Sequence, residues 1–179
     1  MVKLQKGLVH VYTGNGKGKT TAAVGLGVRA YGRGFKILMI QFLKGADSGE
    51  IIALERFSPD LIIKRDKQSS KFTWNMNDEE KDEAKAAAGK LLSQAIIEAK
   101  SAKWDMLILD EIFAAISTGF IDKQEVIDFI LNKPDKLEVV LTGRNVPEDI
   151  IEIADYVSEI NSVKHPFDKG INARIGIES

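Results

Sequence analysis

Cysteine is absent from the 179 residues. Disulfides, thiolate metal sites and cysteine nucleophiles are therefore excluded together. Histidine is nearly as scarce. His10 lies inside an apolar run, as a packed sheet residue would, and His165 stands before Pro166 in a loop. Two histidines so far apart make no metal site, and no Ser-His-Asp arrangement is credible around them. Charge of one sign is also missing: the formal net charge is −1. That leaves no basic excess for a large face turned toward nucleic acid. No apolar run approaches a membrane span. Lys3 and Lys6 interrupt the N-terminus, and the apolar run that follows is too short for a signal peptide. No repeat or low-complexity tract is present. The expectation is a soluble, cytoplasmic protein folded as one domain over residues 1–179, with a sizeable core.

What is present is concentrated near the start. Leu8-Val9-His10-Val11-Tyr12 runs into Thr13-Gly14-Asn15-Gly16-Lys17-Gly18-Lys19-Thr20-Thr21, and an Ala/Val/Leu-rich stretch with helical spacing follows. Strand, glycine-rich loop, Lys-Thr and helix is the order of a phosphate-binding loop. Glycines let successive backbone N–H groups turn toward phosphate oxygens. The helix start adds the positive end of its dipole. The Lys19 ammonium bridges phosphates in such a loop, and the Thr20 hydroxyl ligates Mg²⁺. The spacing departs from the usual pattern. Where a first glycine is expected, Thr13 stands, Gly14 comes one residue late, and Lys17 places a second cation inside the loop. Triphosphate binding is expected; the ordinary polarity of the bound nucleotide is not.

Strand-like and helical stretches alternate along the rest. Helices are expected over residues 20–31, in a short form over 51–57, from a cap at Asn77 with Glu80 in capping-box spacing, over 121–131 behind Asp122 and Glu125, and after Pro147 to about residue 154. Strands are expected over 35–42, 61–63, 106–109, 137–141, 156–160 and 173–177. Residues 66–77 form a long connection carrying Phe72 and Trp74. Such alternation predicts an α/β fold with a mostly parallel sheet and helices on both faces. Ligands of such sheets bind beyond the carboxyl ends of the strands. The glycine-rich loop, Asp110-Glu111 and Thr142-Gly143-Arg144 each follow an apolar strand, so all three are expected at one sheet edge.

Four apolar residues before Asp110-Glu111 match the strand that positions Mg²⁺ opposite a phosphate loop. Either carboxylate can serve from the residues alone, and acids also follow strands simply as helix caps. Arg144 suits phosphate oxygens or a surface ion pair equally. Phe72 and Trp74 suit either a core plug or a stacking wall for a large planar ligand.

Taken in order, Gly14 to Ala23, Gln41-Phe42-Leu43-Lys44-Gly45, Phe72-Thr73-Trp74, Leu109-Asp110-Glu111, Thr142-Gly143-Arg144 and Val163-Lys164-His165-Pro166-Phe167-Asp168 resemble the ATP:corrinoid adenosyltransferases of the P-loop class over nearly the whole chain. The resemblance implies a P-loop NTPase-like (RecA-like) fold. It implies transfer of the 5′-deoxyadenosyl group of ATP to a reduced Co(I) corrinoid, with triphosphate released. ATP is bound in the reverse sense from other P-loop proteins, which suits the displaced glycine. Lys19 and Glu111 are then the catalytic pair; Gly14, Asn15, Gly16, Lys17, Gly18, Lys19, Thr20 and Thr21 bind ATP; Thr20 and Glu111 hold Mg²⁺ or Mn²⁺; Phe72 and Trp74 line the corrinoid and keep its lower axial ligand away. Implied partners are cob(I)alamin or a cobinamide-type corrinoid, a flavoprotein reductase and a second copy in a homodimer. The competing readings are a generic P-loop ATPase or kinase and a nucleotide-gated corrinoid carrier.

Overall fold

The structure, a computed structural model, describes residues 4–44, 48–65 and 75–177. Its elements are β1 (Val9–Thr13), α1 (Lys19–Tyr31), β2 (Ile37–Gln41), α2 (Gly49–Leu54), β3 (Leu61–Arg65), α3 (Asp78–Lys100), β4 (Met106–Asp110), α4 (Ile112–Ser117), α5 (Lys123–Leu131), β5 (Glu138–Thr142), α6 (Glu148–Ile153) and β6 (Tyr156–Glu159). The strands form one sheet in the order β3-β2-β4-β5-β1-β6. Every adjacent pair is parallel.

The apolar runs explain the layering. In β2 and β4 every residue is buried, as expected of parallel strands covered on both faces. Alternate residues part to opposite sides. Leu38, Ile40, Leu107, Leu109, Val139 and Leu141 pack with α3, α4, α5 and Ile150 of α6. Ile37, Met39, Ile108 and Val140 pack with Ala23 and Ala30 of α1 and Leu54 of α2. Both edge strands are more open. β6 is exposed along its whole length, and β3 buries only Leu61.

Local signals act as the sequence implies at several ends. The Asn77 side chain accepts from the Glu80 N–H at 2.8 Å, and the Glu80 carboxylate accepts from the Asn77 N–H at 3.0 Å, closing a capping box at α3. Asp122 caps α5 differently: its carboxylate accepts from the Gln124 N–H at 2.9 Å. Pro147 is the cap residue of α6 rather than part of its first turn. One expectation fails, and one element goes unannounced in the sequence. Residues 173–177 form no strand: Arg174–Ile177 is a turn closed by a backbone bond of 3.1 Å, and Ile175 is 96% exposed. Among the described residues no strand lies beside it to take the N–H and C=O groups of an extended segment. The unannounced element is α4, which follows the Asp110-Glu111 pair directly, a helix with no polar periodicity.

Candidate functional site

Because the strands are parallel, the carboxyl ends of β1, β2, β4 and β5 share one edge, and the candidate residues meet there. Asp110 ends β4 and is fully buried. Its Oδ1 accepts from the Thr20 hydroxyl at 2.9 Å and from the Thr142 hydroxyl at 2.7 Å. Its Oδ2 accepts from the Gln41 amide at 3.3 Å and from the Lys44 ammonium at 2.8 Å. A buried carboxylate is costly unless hydrogen-bonded and paired with a cation; here four donors converge on it. The same Thr142 oxygen accepts from the Glu111 N–H at 2.9 Å. The three motifs expected at one edge are thus joined through a single carboxylate.

Glu111 is set apart from its neighbour. Its backbone is left-handed, with φ 60°, at the cap of α4. Such strain in a non-glycine residue tends to mark sites where side-chain direction matters. Its carboxylate accepts no hydrogen bond among the described residues. Burial, then the charge of Asp110, push its pKa up, against the pull of Lys44, Lys19 and Arg144. Gly143 allows the close packing behind it: at φ 143° a Cβ there would lie 2.8 Å from Cβ of Phe113.

The glycine-rich loop curls around Lys19. The ammonium donates to the carbonyls of Gly14 at 2.7 Å and Gly16 at 2.9 Å. Lys19 is 7% exposed; burial, then the nearby Arg144 guanidinium, lower its pKa. Gly18 reaches φ 122° as the cap from which α1 starts. Gly14, at φ 96°, and Gly16 press against the segment beyond β6. A Cβ on either would come within 2.7 Å of the Ile160 carbonyl oxygen. That oxygen accepts from the Gly16 N–H at 2.7 Å, and the Ile160 N–H donates back to Thr13 at 2.8 Å. Asn15, Lys17 and Thr21 are exposed, Lys17 and Asn15 on the loop and Thr21 on the first turn of α1.

Other expected residues fall differently. Phe72 and Trp74 lie outside the described residues. His165 accepts from the Phe167 N–H at 3.2 Å and caps a short 3-10 helix, Pro166–Lys169. His10 lies 2.5 Å from the Glu138 carboxylate and stacks on Tyr156, ring centroids 4.6 Å apart. It is a sheet residue of β1, tied to β5 and β6 rather than to the glycine-rich loop that follows the strand. Gln41 and Lys44 are the site residues that the residue-by-residue reading left without a role. Their signal was a polar pair at the end of an apolar strand, but only the β2–β4 register, Gln41 opposite Asp110, gives it meaning.

Among the described residues no group of three or more His, Cys, Asp or Glu converges. Thr20 and Glu111 instead offer a hydroxyl and a carboxylate, hard oxygens of the kind Mg²⁺ takes when water and phosphate complete its shell.

Known proteins match this chain from end to end. The "Corrinoid adenosyltransferase" of Escherichia coli (strain K12) is 37% identical over 175 residues, spanning 97% of this chain and 86% of the relative. The "Corrinoid adenosyltransferase CobA" of Salmonella typhimurium is 36% identical over 180 residues, with the same two shares. The "Corrinoid adenosyltransferase" of a Sinorhizobium species is 39% identical over 176 residues, spanning 97% of this chain and 81% of the relative. A family model, "ATP:corrinoid adenosyltransferase BtuR/CobO/CobP", matches residues 5–179. With the glycine-rich loop, the buried Asp110 network and the left-handed Glu111 all inside the matched range, the chain belongs to the ATP:corrinoid adenosyltransferase family.

Proposed function

We propose that this protein is an enzyme that transfers the 5′-deoxyadenosyl group of ATP to a Co(I) corrinoid and releases triphosphate. The observation that carries the reading is the match of the family model across residues 5–179. In the reaction the Co(I) electron pair attacks C5′ of ATP. The C5′–O bond breaks and its electrons leave with the triphosphate. The corrinoid is itself the nucleophile, so no side chain need act as a base. What the protein supplies is placement of C5′ and a home for the leaving charge.

Each site residue has a part in that task. The backbone N–H groups of the Gly14–Gly18 loop, apart from that of Gly16, which donates to Ile160, serve the phosphates, with Asn15, Lys17 and Thr21 beside them. Lys19 exchanges the carbonyls of Gly14 and Gly16 for phosphate oxygens, a trade of two acceptors for stronger, charged ones. Arg144, exposed at the end of β5 and close enough to depress Lys19, adds charge to the same region. Mg²⁺ or Mn²⁺, held by Thr20 and Glu111, supplies further neutralisation of the triphosphate. Asp110 takes the Thr20 proton in a hydrogen bond and so turns the hydroxyl lone pairs toward the ion. Phe72 and Trp74 form the apolar wall against the corrinoid. One domain carries the whole reaction in the cytoplasm, as a homodimer supplied with electrons by a flavoprotein reductase.

The test is incubation with ATP, Mg²⁺ and chemically reduced cobalamin, followed by identification of both products. Adenosylcobalamin and triphosphate together support the reading. ADP or phosphate would point to an ATPase or kinase, and corrinoid bound without alkylation to a carrier.

A further inference from the structure

Lys44 has no assigned task, yet it reaches into the centre of the site. Its ammonium lies 2.8 Å from Oδ2 of Asp110 and 3.2 Å from the Thr20 hydroxyl oxygen, with Glu50 4.0 Å away. The approach is built into the backbone. Leu43, immediately before it, is held at φ 55°, in the left-handed region that a residue with a bulky side chain rarely adopts. Phe42 is tied by its N–H to the Asp110 carbonyl at 3.0 Å. Gln41, opposite Asp110, is buried, and its Oε1 has no partner among the described residues.

The chemistry at Thr20 is the deciding point. Its hydroxyl has one proton, and that proton goes to Asp110. The lone pairs remain, and Lys44 donates into one of them. A divalent ion ligated by Thr20 needs the same oxygen. An ammonium and a dication on one hydroxyl, both beside a buried carboxylate, repel each other with little water between them. One position serves one cation at a time.

We propose that Lys44 is a built-in stand-in for the metal: it occupies the Thr20–Asp110 position in the nucleotide-free chain and is displaced when the metal–nucleotide arrives. This rests on the adenosyltransferase reading only for the identity of the nucleotide complex. Lys44 neutralises Asp110 while the site waits. It also sets a threshold that a free divalent ion alone must overcome, so that the metal enters chiefly with its triphosphate. Once displaced, the ammonium is released on the loop after β2, next to the newly bound phosphates.

The experiment uses the full chain with Mn²⁺ alone, free of nucleotide and corrinoid, and reads bound ion by electron paramagnetic resonance. Lys44→Gln removes the competing cation and is expected to bind Mn²⁺ about fivefold or more tightly than the unaltered chain. Lys44→Arg keeps a cation and is expected to bind no better than the unaltered chain. Equal or weaker Mn²⁺ binding in Lys44→Gln overturns the proposal. A measurement on the unaltered chain stands even if Lys44→Gln folds poorly. The Lys44 ammonium resonance, assigned by its loss in Lys44→Arg, is expected to shift on saturation with Mg²⁺–ATP; an unmoved resonance overturns the proposal too. Neither readout involves turnover. Loss of the Mn²⁺ effect with transfer intact removes only the role of Lys44, whereas failure of the transfer assay with the Mn²⁺ effect intact removes only the reaction.

Discussion

At the scale of single residues, Asp110 and Glu111 divide two tasks that sequence alone leaves merged. Asp110 has four donors and no exposure; Glu111 is strained, partly buried and without a donor to its carboxylate among the described residues. Glu111→Gln, which forfeits no hydrogen bond there, is expected to leave the melting temperature unchanged. It should raise the Mg²⁺ concentration for half-maximal transfer roughly tenfold or more. Asp110→Asn places an amide against four donors and is expected to destabilise the fold by about 1–3 kcal/mol. Metal titration and thermal melting of both variants check the split; a larger metal effect in Asp110→Asn would move the metal contact to that residue. Lys19→Ala should abolish transfer, even with saturating ATP and pre-formed Co(I), while the far-ultraviolet circular dichroism stays native. Transfer near the normal rate would end the phosphate role of Lys19. The loop, the acids and Arg144 were legible because each follows an apolar run in sequence. Gln41 and Lys44 were not, because their meaning depends on β2 lying beside β4, and strand order is written in no single segment.

At the scale of elements, legibility followed the strength of local signals. Helix α3 has its capping box, Asn77 with Glu80, and the structure forms both bonds. Asn77→Ala is therefore expected to cost about 1 kcal/mol, read as a lowered midpoint in urea with unchanged slope. Helix α4 escaped notice for a physical reason. Its six residues, Ile112 to Ser117, are mostly apolar, and no side chain caps it. A short apolar helix buried under a sheet has no polar face and so no period to detect. The opposite error came from residues 173–177, where branched residues suggested a strand. A strand is made by a neighbouring strand, and among the described residues none lies beside this exposed segment.

At the scale of the whole molecule, the sheet is tied across by groups far apart in sequence. Glu138 accepts from the Leu8 N–H at 2.7 Å and lies 2.5 Å from His10 Nε2, joining β5 to the entry of β1. Burial works to raise the Glu138 pKa, but the His10 contact and the Leu8 N–H outweigh it and hold the carboxyl below its ordinary value. A carboxyl depressed in the folded state lends its stability above its unfolded pKa and loses it as pH falls through the folded one. Glu138→Gln should thus lower the melting temperature at neutral pH, with the gap to the unaltered chain closing below the ordinary carboxylate range. A gap that stays constant on acidification would remove the charge from the account. The mutual grip of Gly14 and Gly16 with Ile160 has a different kind of consequence, one of timing. The ribosome makes the glycine-rich loop well before its brace, with roughly 10–30 s of synthesis between them. Fragments that end before Ile160 carry every glycine and lysine of the loop and still lack the surface that shapes it. Captured on stalled ribosomes, they are expected to retain no nucleotide, so the growing chain is kept from ATP until its sheet is complete.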